Sequence, residues 1–101
     1  MKKIVLVCAA GMSTSLLFNK MRAAAAEIGY DCDINAYPVA EASVAGQDAD
    51  VVLLGPQVRY NLAKVKEQCP HCPVEAIDMT AYGMMDGKKV LAAARKAMGD
   101  L

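Results

Sequence analysis

Two stretches of this chain, Ile4-Val5-Leu6-Val7 and Val51-Val52-Leu53-Leu54, each hold four consecutive apolar residues. A strand with one wet face alternates apolar and polar side chains. An unbroken run bounded by turn residues suits a strand buried on both faces of a parallel sheet. The first strand is expected over residues 3–7 and the third over 49–54. Between and after them, apolar residues recur at helical spacing. Leu17, Met21, Ala24 and Ile28 form one stripe, with Lys20, Arg22 and Glu27 at other angles and Gly29 as its stop. Val58, Leu62, Val65 and Cys69 form a second, ended by Pro70 and Pro73. Val90, Leu91, Ala94 and Met98 form a third, with Lys88, Lys89, Arg95 and Lys96 on its wet side. A more amphipathic strand is expected at 32–37 and a short one at 74–77. A brief helix fits the Ala-rich segment 38–46, and a loop fits 78–87. The order is β-α-β-α-β-α-β-α. That alternation predicts an α/β fold, a single three-layer domain over residues 1–101 with a parallel sheet and helices on both faces. Ligands in such folds bind beyond the carboxyl ends of the strands, where strand order reverses. The residue that follows the first strand's last apolar position is Cys8.

Composition narrows the function classes. The chain of 101 residues is 55% hydrophobic and 22% charged, which is enough apolar content for a core. Its formal net charge is zero, against the basic excess of a nucleic-acid surface. No apolar run approaches the ~20 residues that cross a bilayer. Lys2 and Lys3 ahead of residues 4–10 mimic a signal peptide, but the run leads straight into a polar loop and a helical pattern, so a buried strand is the better reading. A cytoplasmic location is expected, with no direct membrane insertion. Four cysteines in such a chain point to reduced, catalytic or metal-binding thiols and not to a disulfide framework.

The segment Cys8-Ala9-Ala10-Gly11-Met12-Ser13-Thr14-Ser15 lies between a strand and a helix. A helix amino end leaves backbone N–H groups unpaired and carries partial positive charge, so it holds anions. Ala9, Ala10 and Gly11 let the backbone close round a phosphate-sized group. Ser13, Thr14 and Ser15 can cap the helix and donate hydroxyl hydrogen bonds to phosphate oxygens. The same N–H groups would stabilise a Cys8 thiolate and make it a nucleophile. Singly, each feature fits a buried cysteine or an ordinary helix cap. Together, in this βα setting, they describe a thiolate inside a phosphate cradle, the apparatus for a phosphocysteine.

The low-molecular-weight tyrosine phosphatases use a similar first βα loop, with an arginine six positions after the cysteine and then Ser or Thr. Here that position is Thr14, followed by Ser15. The arginine clamps phosphate bidentately and stabilises transition-state charge. Its absence favours transfer over hydrolysis. A thiol is also a better leaving group than a sugar alkoxide, so transfer from sulfur to a hydroxyl runs downhill.

These residues carry a family resemblance. CAAGMSTSLL resembles the phosphorylation loop of enzyme IIB proteins of the lactose/cellobiose/chitobiose class of the bacterial sugar phosphotransferase system (PTS). DVVLLGPQVRY (Asp50 to Tyr60) resembles that family's third strand and turn, and IDMTAYGMMDGKKVL (Ile77 to Leu91) its last loop and helix. The resemblance implies a four-stranded parallel sheet of order 2-1-3-4, of the low-molecular-weight phosphatase type. It implies a phosphotransferase in which Cys8 accepts phosphate from a phosphohistidine of the IIA component. The phosphate then goes to a sugar during transport through the membrane component IIC. The implied sugar is a β-disaccharide such as cellobiose, chitobiose or lactose. Residues 9–15 would bind the phosphate, and peripheral membrane association would come through IIC. No cofactor and no metal are expected, and the protein is expected to be a monomer. One departure is Ala9, where a serine is sometimes found. His71 lies away from the loop, so the phosphohistidine step belongs to another chain.

Gln57, Asp78 and Tyr82 follow the third and fourth strands and so belong on the rim of the Cys8 site. Arg59 reads as a turn residue. For Asp78 a role in orienting the loop is more plausible than phosphate contact, because a carboxylate repels phosphate. Two rival chemistries stand beside the carrier reading: a phosphatase using Cys8, and a thiol oxidoreductase using Cys69 and Cys72. Cys69-Pro70-His71-Cys72 has the spacing of a dithiol redox site, but it closes a helix, where the field disfavours a thiolate. A structural zinc site wants four ligands, and this segment offers three.

Overall fold

The computed structural model describes residues 1–8 and 15–100. Four strands form one parallel sheet in the order β2-β1-β3-β4: β1 (Lys2–Cys8), β2 (Cys32–Pro38), β3 (Val51–Leu54) and β4 (Val74–Ala76). The helices are α1 (Ser15–Glu27), α2 (Ala42–Ala45), α3 (Leu62–Gln68), α4 (Met79–Gly83) and α5 (Gly87–Ala97). Two 3₁₀ turns, Val39–Glu41 and Pro56–Asn61, precede α2 and α3. The α/β class, the sheet order and the helices on both faces agree with the sequence reading.

The continuous apolar strands are apolar because each face has its own core. Ile4 and Leu6 of β1 with Val51 and Leu53 of β3 pack against Leu17, Met21, Ala81, Val90 and Leu91. The alternate residues, Val5, Val7, Val52 and Leu54, pack against Ala42, Val58, Val65 and Cys69. Thus α1, α4 and α5 cover one face and α2 and α3 the other. Strand period two sorts the side chains between them. Ile4, Leu6, Leu17 and Leu54 are fully buried. Truncating any one to alanine should cost about 2–5 kcal/mol.

The register is direct: Ile4 pairs with Val51 and Val7 with Leu54, while Cys8 pairs with Pro38. Arg22 of α1 fastens the outer strand β2 by donating to the Ile34 carbonyl at 2.7 Å (Nη2) and 3.1 Å (Nε). Its guanidinium lies 4.7 Å from the Phe18 ring centroid. Near the amino ends of β1 and β3, Asp50 bonds Lys3 twice. Asp50 N donates to Lys3 O at 2.8 Å, and Asp50 Oδ2 accepts from Lys3 N at 2.7 Å.

Several boundaries differ from the sequence reading, beginning with β1, which runs one residue further at each end and so includes Cys8. The spacing predicts Ile28 on the first helical stripe, but α1 ends at Glu27 and Ile28 is exposed. The stripe begun at Val58 is split, because Val58 has non-helical dihedrals (φ −120°, ψ 15°) inside a 3₁₀ turn and α3 starts at Leu62. Ala49 and Asp50 precede β3 rather than belonging to it, and Ile77 likewise follows β4, which ends at Ala76. The expected loop at 78–87 holds the short helix α4.

Candidate functional site

The connections after β1 and β3 leave in opposite directions. β1 leads to α1 on one face, and its neighbour β3 leads to α3 on the other. A crevice opens where such connections diverge, and ligands of doubly wound sheets bind there. Cys8 is the last residue of β1 at this point. It is 0% exposed, with Sγ 3.9 Å from the Tyr37 carbonyl oxygen. Chain order puts the amino end of α1 on the same edge, opening at Ser15. A helix amino end has N–H groups without partners inside the helix and a positive dipole end, which favour an anion there. Of the expected phosphate cradle, Ala9, Ala10, Gly11, Met12, Ser13 and Thr14 lie outside the described residues, and Ser15 is the first residue of α1.

Of the three rim residues expected from sequence, Gln57 and Tyr82 approach Cys8's strand end and Asp78 acts at a distance. Gly55 follows β3 and donates from its N–H to the Val7 carbonyl at 2.8 Å, so it sits beside the residue before Cys8. A Cβ on Gly55 would lie 3.3 Å from Gln57 Oε1, 3.6 Å from Val7 O and 3.7 Å from Tyr82 Cε2. The bare backbone at Gly55 therefore lets Gln57 and Tyr82 converge on the ends of β1 and β3. Gln57 is exposed, and Tyr82 is 8% exposed. Asp78 sits one step back. Its Oδ2 accepts from Ala81 N at 3.0 Å and caps α4, and its carbonyl accepts from Tyr82 N at 2.9 Å. Asp78 thus orients the segment that carries Tyr82, as N-cap carboxylates do. Arg59 is exposed, with Nη1 3.5 Å from Met79 Sδ.

Gly55 is a site residue that the sequence reading does not single out. A glycine at the end of an apolar strand also signals close approach of another group. That reading would have pointed to the aromatic side chain it accommodates.

The Cys69-Pro70-His71-Cys72 segment lies before β4, at the sheet edge opposite Cys8. Cys69 is buried at the carboxyl end of α3, with Sγ 3.7 Å from Ala42 O. His71 Nε2 lies 2.8 Å from Gly46 O. Burial pushes the Cys69 thiol above its ordinary value. Cys72 is raised by burial first, then by Cys69 and Asp50. A redox dithiol needs a stabilised thiolate, and neither residue has one. Among the described residues no group of three or more His, Cys, Asp or Glu side chains is placed to hold a metal ion. No helix among them is long and apolar enough to cross a membrane.

Comparison with known proteins bears on the chemistry of this edge. The family described as "PTS system, Lactose/Cellobiose specific IIB subunit" matches residues 3–93. The chain belongs to the lactose/cellobiose-specific IIB family of the phosphotransferase system. It is 48% identical to the PTS system galactose-specific EIIB component of Lactococcus lactis subsp. cremoris (strain MG1363), over 96% of each chain. It is 43% identical to the PTS system oligo-beta-mannoside-specific EIIB component of Bacillus subtilis (strain 168), over 97% of each. The solution structure of the cellobiose-specific phosphotransferase IIB component from Borrelia burgdorferi superposes with a TM-score of 0.82 at 37% identity, over 98% of this chain and 93% of that one. The lactose-specific IIB domain from Streptococcus pneumoniae shares the fold, with a TM-score of 0.82 at 20% identity over 95% of this chain and 96% of that one. This IIB component is therefore a phosphotransferase component of a sugar transport system, a role that entails IIA and IIC partners.

Proposed function

We propose that Cys8 is the phosphoryl-bearing residue of this IIB component. The supporting observation is its position: a buried cysteine ends β1 at the topological switch point, just ahead of the helix amino end that opens at Ser15. In the first step the Cys8 sulfur attacks the phosphorus of a phosphohistidine on IIA. The S–P bond forms, the N–P bond breaks, and the imidazole leaves with the electron pair. In the second step a sugar hydroxyl oxygen attacks the same phosphorus. The O–P bond forms, the hydroxyl proton passes to solvent, and Cys8 leaves as a thiolate. Backbone N–H groups of residues 9–15, with the hydroxyls of Ser13, Thr14 and Ser15, hold the phosphoryl oxygens between the steps. Positioning and electrostatic support do most of the work in both transfers.

Residues 1–101 act as one domain, a monomer on the cytoplasmic side that meets the membrane only through IIC. The sugar is a β-disaccharide of the cellobiose, chitobiose or lactose kind. Relatives named for cellobiose and oligo-beta-mannoside support a β-linked saccharide, while another is named for the monosaccharide galactose. The test is a chase. Protein labelled with radioactive phosphoryl is mixed with vesicles containing IIC and each candidate sugar. Label should move to the sugar. Label released only as inorganic phosphate, at the same rate with and without sugar, would contradict the carrier role and indicate a hydrolase.

A further inference from the structure

Among the described residues two buried polar side-chain atoms lack a hydrogen-bond partner, Tyr82 Oη and Arg95 Nε. Arg95 is held in other ways. Its guanidinium lies 4.6 Å from the Tyr30 ring centroid, and Nη2 donates to Asp100 O at 3.4 Å. Tyr82 is different, because its hydroxyl is the side chain's only polar group. Burying a hydroxyl without a partner is unfavourable, and a phenylalanine would avoid the cost.

The place of the hydroxyl suggests what offsets that cost. Cε2 is bonded to the ring carbon that bears Oη, and it approaches to 3.7 Å of the Cβ position at Gly55. Gly55 is hydrogen-bonded to Val7, the residue before Cys8. The hydroxyl-bearing edge of the ring therefore lies at the carboxyl ends of β1 and β3. The Asp78 cap and the Tyr82 N to Asp78 O bond hold it there.

We infer that Tyr82 Oη donates a hydrogen bond to a non-bridging oxygen of the phosphoryl group while that group is on Cys8. The inference rests on the carrier role of Cys8. The hydroxyl keeps its proton, and no bond to Tyr82 is made or broken. A donor facing an ionised oxygen makes a charge-assisted bond, stronger than a neutral pair. A neutral phenol stabilises the phosphocysteine without the bidentate grip of an arginine, so the group stays transferable. In the unphosphorylated protein the same hydroxyl has no hydrogen-bond partner among the described residues.

The two states give Tyr82→Phe effects of opposite sign. With a phosphohistidine donor at equilibrium, the ratio of phosphocysteine to phosphohistidine should fall about ten-fold in Tyr82→Phe, the loss of one hydrogen bond to a charged group. The unphosphorylated variant should melt at or above the wild-type temperature. A merely structural hydroxyl would lower the melting temperature instead. In the wild type, the ¹³Cζ resonance of Tyr82 should move on phosphorylation. An unchanged phosphocysteine ratio, a fall matched by a lower melting temperature, or an unmoved ¹³Cζ resonance would overturn the assignment. A wild type that gains no phosphoryl group on Cys8 would remove the carrier role, and this inference with it. A wild type that gains it beside an indistinguishable Tyr82→Phe would remove only the role of Tyr82.

Discussion

Gly87 is the first residue of α5 and is buried against α1. A Cβ there would meet Lys20 C at 2.6 Å, Met21 N at 2.7 Å and Lys20 Cβ at 2.8 Å. Two of these atoms are backbone, so no side-chain rotation relieves the contact. Restoring ordinary carbon contacts requires α1 and α5 to part by roughly 1 Å. Overpacking of this kind costs about 1–3 kcal/mol. For a domain of this size each kcal/mol moves the melting temperature by about 4–8 °C. Gly87→Ala should therefore melt about 5–20 °C lower than wild type. Gly83, at the end of α4, is exposed and would place nothing within 4 Å of a new Cβ. Gly83→Ala should gain about 0.4–1 kcal/mol, through a less flexible unfolded chain. The same chemical change thus has opposite signs at two positions a few residues apart. Thermal unfolding followed by circular dichroism in one buffer compares them. A Gly87→Ala protein that melts at or above wild type would refute the close-packing argument. Since α1 also presents its amino end to the site, Gly87→Ala should slow phosphorylation as well.

Asp78→Ala removes the α4 cap and should cost about 1 kcal/mol, while Asp78→Asn should retain most of it; urea unfolding midpoints distinguish the two. Arg22→Met releases the Ile34 carbonyl and should cost about 1–2 kcal/mol. Its amide exchange should rise along β2 before it rises along β3. Burial raises the thiols of Cys32, Cys69 and Cys72 above the reference value of 9.0, and burial followed by the Asp100 contact raises Tyr30. The folded state then holds these protons at pH values where the unfolded chain has released them. This contribution is complete below pH 9.0 and is lost as pH rises from there through the folded values. Unfolding midpoints should drop as pH rises above about 9, and Cys69→Ala should drop less.

The strands most legible in the sequence were β1 and β3, because burial on two faces leaves no polar position to confuse the pattern. The second helical stripe misled at its start. Val58 is apolar and correctly spaced, yet Gly55-Pro56 starts a 3₁₀ turn that the helix does not continue. Helix α4 was hidden because five residues give too little periodicity to register, although Asp78 was a readable cap. The position of Cys8 at the end of β1 and shortly before α1 was legible from the local chain alone, since the apolar strand pattern and the helical pattern lie close together in sequence. The meeting of Gln57 and Tyr82 over Gly55 was not. They are far apart in the chain, and only the β1-β3-β4 order makes them neighbours.

The central claim is that Cys8 carries the phosphoryl group. It is tested most directly by incubating the protein with phosphoenolpyruvate, the general phosphotransferase proteins and a cognate IIA component, then mapping the modified peptide by mass. One phosphoryl group should appear on the peptide containing Cys8. It should vanish in Cys8→Ser and persist in the Cys69→Ser/Cys72→Ser double variant. A phosphoryl group on another residue, or none with any of several IIA components, would contradict the account.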